Sequence, residues 1–316
     1  MHPPITIALA SYNGARFLRA QLDSIAAQSV TNWRLLVSDD GSTDGARQIL
    51  DAFAATHPRG QVEVIEGPRR GSTQNFLHLT ARADPGGWLA YADQDDVWHP
   101  DRLARGAAFL ADRKGAAIWA ARTTICDEAL TPIAPAPHFP GPFGFRNALV
   151  QSALPGNTIL ANAEALRILQ AATSAAQAAG VHAHDWWAYQ VLSGAGAAIR
   201  RDSAQVLLYR QHPGNLMGRN DTARAKASRA SMLADGSFAG WLGRNQRALE
   251  PVAHLLLPEN RELLQRFGRV LRASGPEALV QILRMRLYRQ SRRGTAALLV
   301  AALAGRLRQP RQATGR

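Results

Sequence analysis

The first 105 residues alternate between short apolar segments and segments with helical periodicity. Apolar runs occupy residues 5–9, 33–38, 62–65 and 88–92, and a helical pattern follows each of them. Short apolar runs that alternate with amphipathic helices are typical of βα units. The repeat therefore predicts an α/β fold of the Rossmann-like type, with a mostly parallel central sheet flanked by helices.

Polar residues follow three of these strands directly. They form the clusters Ser11–Gly14, Asp39–Ser42 and Asp93–Asp96. Ligands of open α/β sheets bind beyond the carboxyl ends of the strands. We therefore expect the three clusters, which are distant in sequence, to meet on one rim of the sheet.

The chain after residue 115 is less regular. We predict that a proline-rich loop over residues 131–145 lies over the site and that the α/β domain extends over residues 1–220. The other elements expected there are strands at 117–126, 157–162 and 206–211 and helices at 163–172 and 184–193.

The positive charge is concentrated in the last third of the chain. Residues 221–316 contain 18 Lys and Arg against 6 Asp and Glu, a net charge of +12 out of +13 for the whole chain. We predict a basic helical C-terminal region over 221–316, with a helix at 278–289 that has leucines on one face and arginines on the others. The apolar run at 294–304 is shorter than the about 20 residues needed to cross a bilayer and could form a hairpin helix or an interfacial helix. Contact with an anionic membrane is the favoured partner, ahead of a solvated surface. Nucleic acid comes last because no known binding module accompanies the charge.

The compartment is predicted from two observations. Cys126 is the single cysteine, which excludes an internal disulfide and suits a reducing compartment. The first residues contain neither a basic segment nor a long apolar one, so no signal peptide is predicted. We expect a cytoplasmic protein that is peripheral on the cytoplasmic face of the inner membrane.

The third cluster places the carboxylates of Asp93, Asp95 and Asp96 within four residues, directly after an apolar strand. Ionised carboxylates at this spacing repel one another unless a cation or water screens them. Mg²⁺ and Mn²⁺ bind through one or two carboxylates plus substrate phosphates. The alternative is a solvated turn in which Asp96 or Asp101 caps the next helix. The position after a strand favours the cation.

The first two clusters suit a nucleotide. The carboxylates of Asp39 and Asp40 can accept hydrogen bonds from a base N–H or a ribose hydroxyl. The ring of Tyr12 can stack on a base, and its small neighbours Ser11 and Asn13 let a ligand approach. An Asx turn before a capped helix explains the second cluster equally well by itself.

Three motifs taken together resemble glycosyltransferase family 2 with the GT-A fold. They are Ile5–Gly14, Val37–Asp44 and Tyr91–Leu103, in the order of the sheet repeat. Three later segments are similar to the rhamnosyltransferase-like branch of that family, and these are Gly156–Thr158, His184–Trp187 and Tyr209–His212.

The resemblance implies an inverting enzyme that moves a sugar, rhamnose in this branch, from a nucleotide diphosphate to a hydroxyl of a glycan or lipid-linked acceptor in cell-surface polysaccharide synthesis. It also implies a divalent cation, Mg²⁺ or Mn²⁺, held by Asp95 of the Asp-X-Asp motif with Asp93 and His212. The residues assigned to the nucleotide sugar are Ser11, Tyr12, Asn13, Asp39, Asp40, Asn75, Asp93, Gln94 and Trp186.

Asp185 matches the position of the catalytic base in that family. An acceptor hydroxyl is a poor nucleophile near neutral pH, so a carboxylate must take its proton as the new bond forms. The alternative for Asp185 is the N-cap of the helix that contains Trp186. Trp186 itself suits either an apolar wall beside the sugar or the core.

Two rival functions remain open. A nucleotidyltransferase that acts on sugar phosphates would share the sheet and the metal, but it requires a Gly-rich basic loop after the first strand, and Ser11–Arg16 has one glycine. A non-catalytic membrane-associated adaptor would explain the basic region but leave Asp93–Asp96 and Asp185 without a purpose. The Gln-X-X-Arg-Trp motif of processive synthases is absent from the sequence, which favours one sugar per event.

Overall fold

The computed structural model describes residues 2–214, 232 and 235–309. The strands are β1 Ile5–Ser11, β2 Trp33–Asp39, β3 Val62–Glu66, β4 Trp88–Ala92, β5 Val97–Trp98, β6 Ala117–Cys126, β7 Pro132–Pro135, β8 Leu160–Ala161 and β9 Ala198–Arg210. The helices are α1 Ala15–Ala26, α2 Ala46–Ala55, α3 Ser72–Arg82, α4 Arg102–Leu110, α5 Phe145–Ala148, α6 Ala163–Ala179, α7 His184–Gly194, α8 Ser237–Leu249, α9 Pro258–Val270, α10 Gly275–Met285 and α11 Arg292–Leu303. Short 3₁₀ turns cover Gly156–Thr158 and Ala253–Leu255.

The strands form one sheet in the order β3-β2-β1-β4-β8-β6-β9-β5, and β7 adds to β6. The predicted α/β fold is confirmed, but the sheet is mixed. β3, β2, β1 and β4 run parallel, as do β6 and β9, whereas β8 is antiparallel to both of its neighbours. The two-residue β8 thus joins two parallel blocks.

The register of the first block aligns the strand ends. Ser11 pairs with Asp39 across β1 and β2, and Leu9 pairs with Ala92 across β1 and β4. The residues that follow these positions therefore leave the sheet at the same edge, because the carboxyl ends of parallel strands share one rim.

Alternate residues of the central strands face two different cores. Ile5, Ile7 and Leu9 of β1 pack with the buried faces of α1, α2 and α4. Ala8 of β1 packs on the opposite face, with α3, α6 and α7. Apolar residues on both sides of a strand are what a sheet covered on both faces requires. Leu18, Leu22 and Ile25 of α1 follow the i, i+4, i+7 spacing of such a covering helix.

The helices after residue 235 share the second of these cores. Leu242 of α8, Phe267 of α9, Ile282 of α10 and Ala302 of α11 are buried in the same apolar cluster as Trp187 of α7. The predicted boundary at residue 220 is thus not a break between two separate cores. Within the described part of the chain, no helix has both the length and the apolar character needed to cross a bilayer.

Several predicted elements differ from those observed. The proline-rich loop contains β7, an edge strand in which the missing proline N–H groups cost little. The strand expected at 157–162 shrinks to β8, and the one expected at 206–211 begins at Ala198. The helix expected at 278–289 ends at Met285, because Arg286 adopts the left-handed conformation with φ 52°. Part of the helical region predicted from residue 221 lies outside the described residues.

Candidate active site

The loop after β1 is bound to the loop after β2. Asn13 has a positive φ of 47°, and its backbone N–H donates to Ser42 Oγ at 2.9 Å. Asn13 Oδ1 accepts from the N–H of Thr43 at 2.8 Å. These two bonds hold the exposed ring of Tyr12 at the rim of the sheet. Tyr12 is available to stack on a flat ligand in that position.

Gln94 connects the first loop to the acidic loop after β4. Its Oε1 accepts from the N–H of Tyr12 at 2.8 Å, and its Nε2 donates to the carbonyl of Tyr12 at 2.9 Å. Ser11 Oγ donates to Gln94 Oε1 at 3.3 Å. Gly14 leaves the space for this side chain, since a Cβ there would lie 2.2 Å from Gln94 Oε1. Gln94 thus positions two of the predicted clusters.

Asp39 and Asp40 bind the neighbouring loops in this structure. Asp39 Oδ1 accepts from Ser42 Oγ at 2.5 Å. Asp40 Oδ1 accepts from the N–H of Arg69 at 2.6 Å, and Asp40 Oδ2 accepts from the N–H of Gly71 at 2.9 Å. Both carboxylates are buried. They shape the loops around the rim, and their contact with a nucleotide stays a prediction.

Asp95 lies against His212. Its Oδ2 is 2.8 Å from His212 Nε2, and Arg210 Nε donates to the Asp95 carbonyl at 2.9 Å. Arg210 also lies over the ring of Phe17, which contacts the His212 ring with 4.8 Å between centroids. The end of β9 and the start of α1 therefore form one wall beside the acidic loop.

Asp93 is half-buried between the other acids. Burial raises the pKa of Asp93 to about 7, and the nearby carboxylates of Asp95 and Asp185 add to the rise, whereas Arg102 opposes it. The repulsion places the carboxylates of Asp95 and Asp185 near that of Asp93. A cation or a hydrogen-bonding ligand placed there would relieve it.

Of the two residues that the solvated-turn alternative offered as a helix cap, Asp101 is at the N-cap position of α4, without a side-chain hydrogen bond to the helix, and Asp96 is not. Asp96 is fully buried, and its Oδ2 accepts from Asn157 Nδ2 at 2.6 Å. Arg102 lies beneath it and is also fully buried, with Nη2 donating to the carbonyls of Tyr91 and Asn157. Burial lowers the pKa of Arg102 to about 9, while the carboxylates of Asp96 and Asp93 oppose that shift. This buried group supports the acidic loop from below.

Asp185 lies in the first turn of α7 and not at its N-cap, which is Ala183. Its Oδ1 accepts from the N–H of Trp186 at 2.6 Å. Burial raises the pKa of Asp185 to about 6, although hydrogen bonds from the backbone of Trp186 and Gly156 and from the Ser152 side chain oppose the rise. A carboxyl group with a pKa near 6 suits proton transfer near neutral pH.

Asn75 and Trp186 are engaged elsewhere. Asn75 is buried and its Nδ2 donates to the Ser38 carbonyl at 2.8 Å. Trp186 is buried in the core and its Nε1 donates to the Ala148 carbonyl at 2.7 Å. The contact of Asn75 and Trp186 with the sugar stays a prediction.

Four residues that were not predicted as site residues support the site. Ser42 and Asn157 hold the first and third clusters, Ser152 contacts Asp185, and Arg102 lies beside the buried Asp96. Ser42 and Asn157 belong to segments that the sequence did mark, Asp39–Ser42 and Gly156–Thr158. Arg102 lies on the inward face of a helix, which is a weak signal because the same spacing also fits an exposed arginine.

The side chains that were predicted to hold a metal do not form a complete set of ligands by themselves. Within residues 2–214 and 235–309, no group of three or more His, Cys, Asp and Glu side chains has the arrangement of a metal site. The Asp95–His212 pair supplies one carboxylate and one imidazole. That number suits an ion whose other ligands are substrate phosphates and water.

Comparison with known proteins finds similarity to glycosyltransferases over about the first half of the chain. The family model described as Glycosyl transferase family 2 matches residues 6–159. The putative glycosyltransferase EpsE of Bacillus subtilis is 28% identical over 159 residues, which make up 50% of this chain and 52% of that protein. The chain thus spans about half the length of this relative.

A second relative matches more of the chain. The dTDP-rhamnosyl transferase RfbG of Shigella flexneri is 25% identical over 241 residues, or 71% of this chain and 78% of that protein. Among solved structures, S. aureus TarS in complex with UDP-GlcNAc covers 96% of this chain and 88% of its own, with a TM-score of 0.52 and 15% identity. The likeness to TarS shows the fold, which is the GT-A fold.

Proposed function

We propose, from the match of residues 6–159 to the family model Glycosyl transferase family 2, that this chain moves one sugar from a nucleotide diphosphate onto a hydroxyl acceptor. The acceptor would be a glycan or a lipid-linked glycan of a cell-surface polysaccharide. One observation carries this proposal: the half-buried carboxylates of Asp93 and Asp185 come from positions 92 residues apart, and Asp185 lies close enough to Asp93 to help raise its pKa. Carboxylates gathered at the carboxyl ends of strands are where α/β enzymes bind ligands.

The donor is assigned to the rim between β1, β2 and β4. Tyr12 would stack on the base, and the loops held by Asp39, Asp40 and Gln94 would surround the ribose and the diphosphate. A dTDP-rhamnose donor is supported by the relative RfbG, whose name gives that specificity.

Asp95 and His212 would hold Mg²⁺ or Mn²⁺, with Asp93 beside them. The ion, when bound, supplies Lewis-acid stabilisation of the negative charge that develops on the leaving diphosphate. Arg210 would keep Asp95 in place through its bond to the Asp95 carbonyl.

Asp185 would act as the base. In an inverting displacement the acceptor hydroxyl attacks the anomeric carbon from the face opposite the diphosphate, and the Asp185 carboxylate takes the hydroxyl proton. The hydrogen bond from the N–H of Trp186 orients the carboxylate. The raised pKa of about 6, which is due to burial, makes this carboxylate a stronger base than an ordinary one.

The first test is a thermal-shift screen of nucleotide sugars, nucleoside triphosphates and sugar phosphates, each with and without Mn²⁺. The proposal expects a rise in Tm with at least one nucleotide diphosphate sugar that depends on the cation, followed by sugar transfer in an assay with that donor. A preference for a triphosphate with a sugar phosphate would favour a nucleotidyltransferase. No binding of any nucleotide would favour the adaptor.

A further inference from the structure

The last described helix, α11, ends in an apolar run, Ala296–Leu303, which continues into the C-cap residue Ala304. A helix that is apolar on all sides is normally buried on all sides. Only one side of α11 is covered here, where Leu298, Ala301 and Ala302 enter the core. The other side exposes an apolar face, which consists of Ala296, Ala297, Val300, Leu303 and Ala304.

The exposure of this face is large. Val300 is 66% exposed and Leu303 is 51% exposed, and α10, which packs beside α11, exposes Val280 and Leu283 as well. Four of the seven large apolar side chains that are most exposed in the described part of the chain lie on these two helices. Such a concentration marks an interaction surface more often than chance exposure.

Arginines flank the face at both ends. Arg292 and Arg293 open α11, and Arg306 and Arg308 follow its end, all of them exposed. Residues 271–309 contain eight arginines against a single acidic residue, Glu277. An apolar helical face bordered by basic residues is the pattern of a helix that lies in the interface of an anionic bilayer.

The same charges argue against a second copy of the chain as the occupant. Two such faces packed together would bring the arginine clusters of both copies close to one another, and like charges at short range repel. The run is also too short to span a bilayer, which takes about 20 residues. A lipid surface satisfies both the apolar residues and the arginines.

The connection between α10 and α11 is bonded to the loop beside Asp185. Gln290 donates to the Pro142 carbonyl at 2.9 Å and through its backbone N–H to Gln151 Oε1 at 2.7 Å. Gln151 immediately precedes Ser152, whose side chain binds Asp185. A membrane surface bound by α11 would therefore have a fixed orientation relative to Asp185, on the proposed acceptor side of the site.

We propose that the α11 face, Ala296, Ala297, Val300, Leu303 and Ala304 with its flanking arginines, docks on an anionic lipid bilayer and directs the Asp185 side of the cleft toward that surface. This inference rests on the proposed function only for the orientation of the acceptor side. The docking itself involves residues outside the catalytic machinery.

The test is sedimentation of the full chain, without donor or acceptor, with vesicles of phosphatidylcholine alone or with phosphatidylglycerol. We expect binding to the anionic vesicles that weakens with salt, and at least about tenfold weaker binding by the V300D/L303D variant, since both side chains would leave the apolar phase. The matched control is Ile133→Asp, which changes an apolar side chain of β7 that is 45% exposed and should bind as the unaltered chain does.

A second arm measures the mass in solution by light scattering without lipid. A monomer whose melting temperature is little changed by V300D/L303D supports the lipid assignment. A dimer that these substitutions dissociate would identify a second copy as the occupant and overturn it. Equal binding by V300D/L303D and the unaltered chain, or no preference for anionic vesicles, would overturn it too. Vesicle binding needs no sugar donor. A failure of the proposed transfer activity can therefore be distinguished from a failure of membrane docking.

Discussion

Asp95 Oδ2 and His212 Nε2 lie 2.8 Å apart, although 117 residues separate them in the sequence. The contact joins the loop after β4 to the end of β9, two parts of the sheet that the chain reaches at very different points. A carboxylate and an imidazole in this arrangement can hold a divalent cation together with substrate phosphates.

Asp95→Asn should abolish transfer and weaken binding of the nucleotide sugar in the presence of Mn²⁺. The amide keeps the shape of the side chain but lacks the negative charge that a divalent cation requires. Steady-state kinetics and titration calorimetry with and without Mn²⁺ measure the two effects. Transfer at the unaltered rate would show that Asp95 does not hold a metal.

His212→Gln should weaken the response to Mn²⁺ by about tenfold to a hundredfold, the range seen when groups that support a metal ligand are removed. The expected result is a higher Mn²⁺ concentration for half-maximal activity, with a similar maximal rate. The matched control is His57→Gln, since His57 packs on Phe53 away from the acidic loop. An unchanged Mn²⁺ requirement in His212→Gln would limit His212 to a structural contact.

Asp185→Asn should lower kcat by about two to four decades, the range for a lost general base, and leave the affinity for the nucleotide sugar unchanged. The amide still accepts the hydrogen bond from the N–H of Trp186, so the start of α7 should stay intact. Calorimetry measures the donor affinity and single-turnover kinetics measures the rate of transfer, which together distinguish a general base from a structural residue. An equal loss of affinity and rate would make Asp185 a structural residue.

The pH dependence of kcat should show an acidic limb near the pKa of Asp185, about 6. Burial raises this pKa above the ordinary value for a carboxyl group, and a base works only when deprotonated. Activity should therefore fall as pH decreases through about 6 and reach a plateau above it. The limb should be missing from the residual activity of Asp185→Asn. If the acidic limb appeared at the same pH in Asp185→Asn, it would have to come from another titrating group.

Gly14→Ala should weaken donor binding by about tenfold, because the added Cβ would displace Gln94 from its two bonds to the Tyr12 backbone. Gln94→Ala should weaken binding to a similar degree. In the Gln94→Ala background, Gly14→Ala should add little further loss, since the clash is already gone. Additive losses in the double variant would mean that Gly14 acts independently of Gln94.

Arg102→Met should destabilise the fold by roughly 3–5 kcal/mol, since the buried Asp96 loses the cation that faces it and the carbonyls of Tyr91 and Asn157 lose their donor. The matched control is Arg105→Met on the same helix, where the ion pair with Asp101 is exposed and worth about 1 kcal/mol or less. Urea unfolding followed by circular dichroism compares the two. Equal stabilities would show that Asp96 is held without Arg102.

Much of the first half was predictable from local pattern. The runs at 5–9, 33–38 and 88–92 are strands because they are short and largely apolar on both sides of the chain, as a sheet covered on both faces requires. The polar clusters after these strands lie together because parallel strands end on one rim. Short weak elements were harder. β8 has two residues, and its position depends on pairing with β4 and β6, not on its own side chains.

The sequence by itself determined the βα order, the placement of acidic residues at strand ends and the basic character of the last third, since each is a property of neighbouring residues. Only the tertiary structure decided which acids face the cleft. It buried Asp96 on Asn157, turned Asp40 toward the backbone of Arg69 and Gly71, and brought His212 to Asp95. It also left one side of α11 uncovered. These outcomes depend on packing between distant segments, and local periodicity carries no information about such partners.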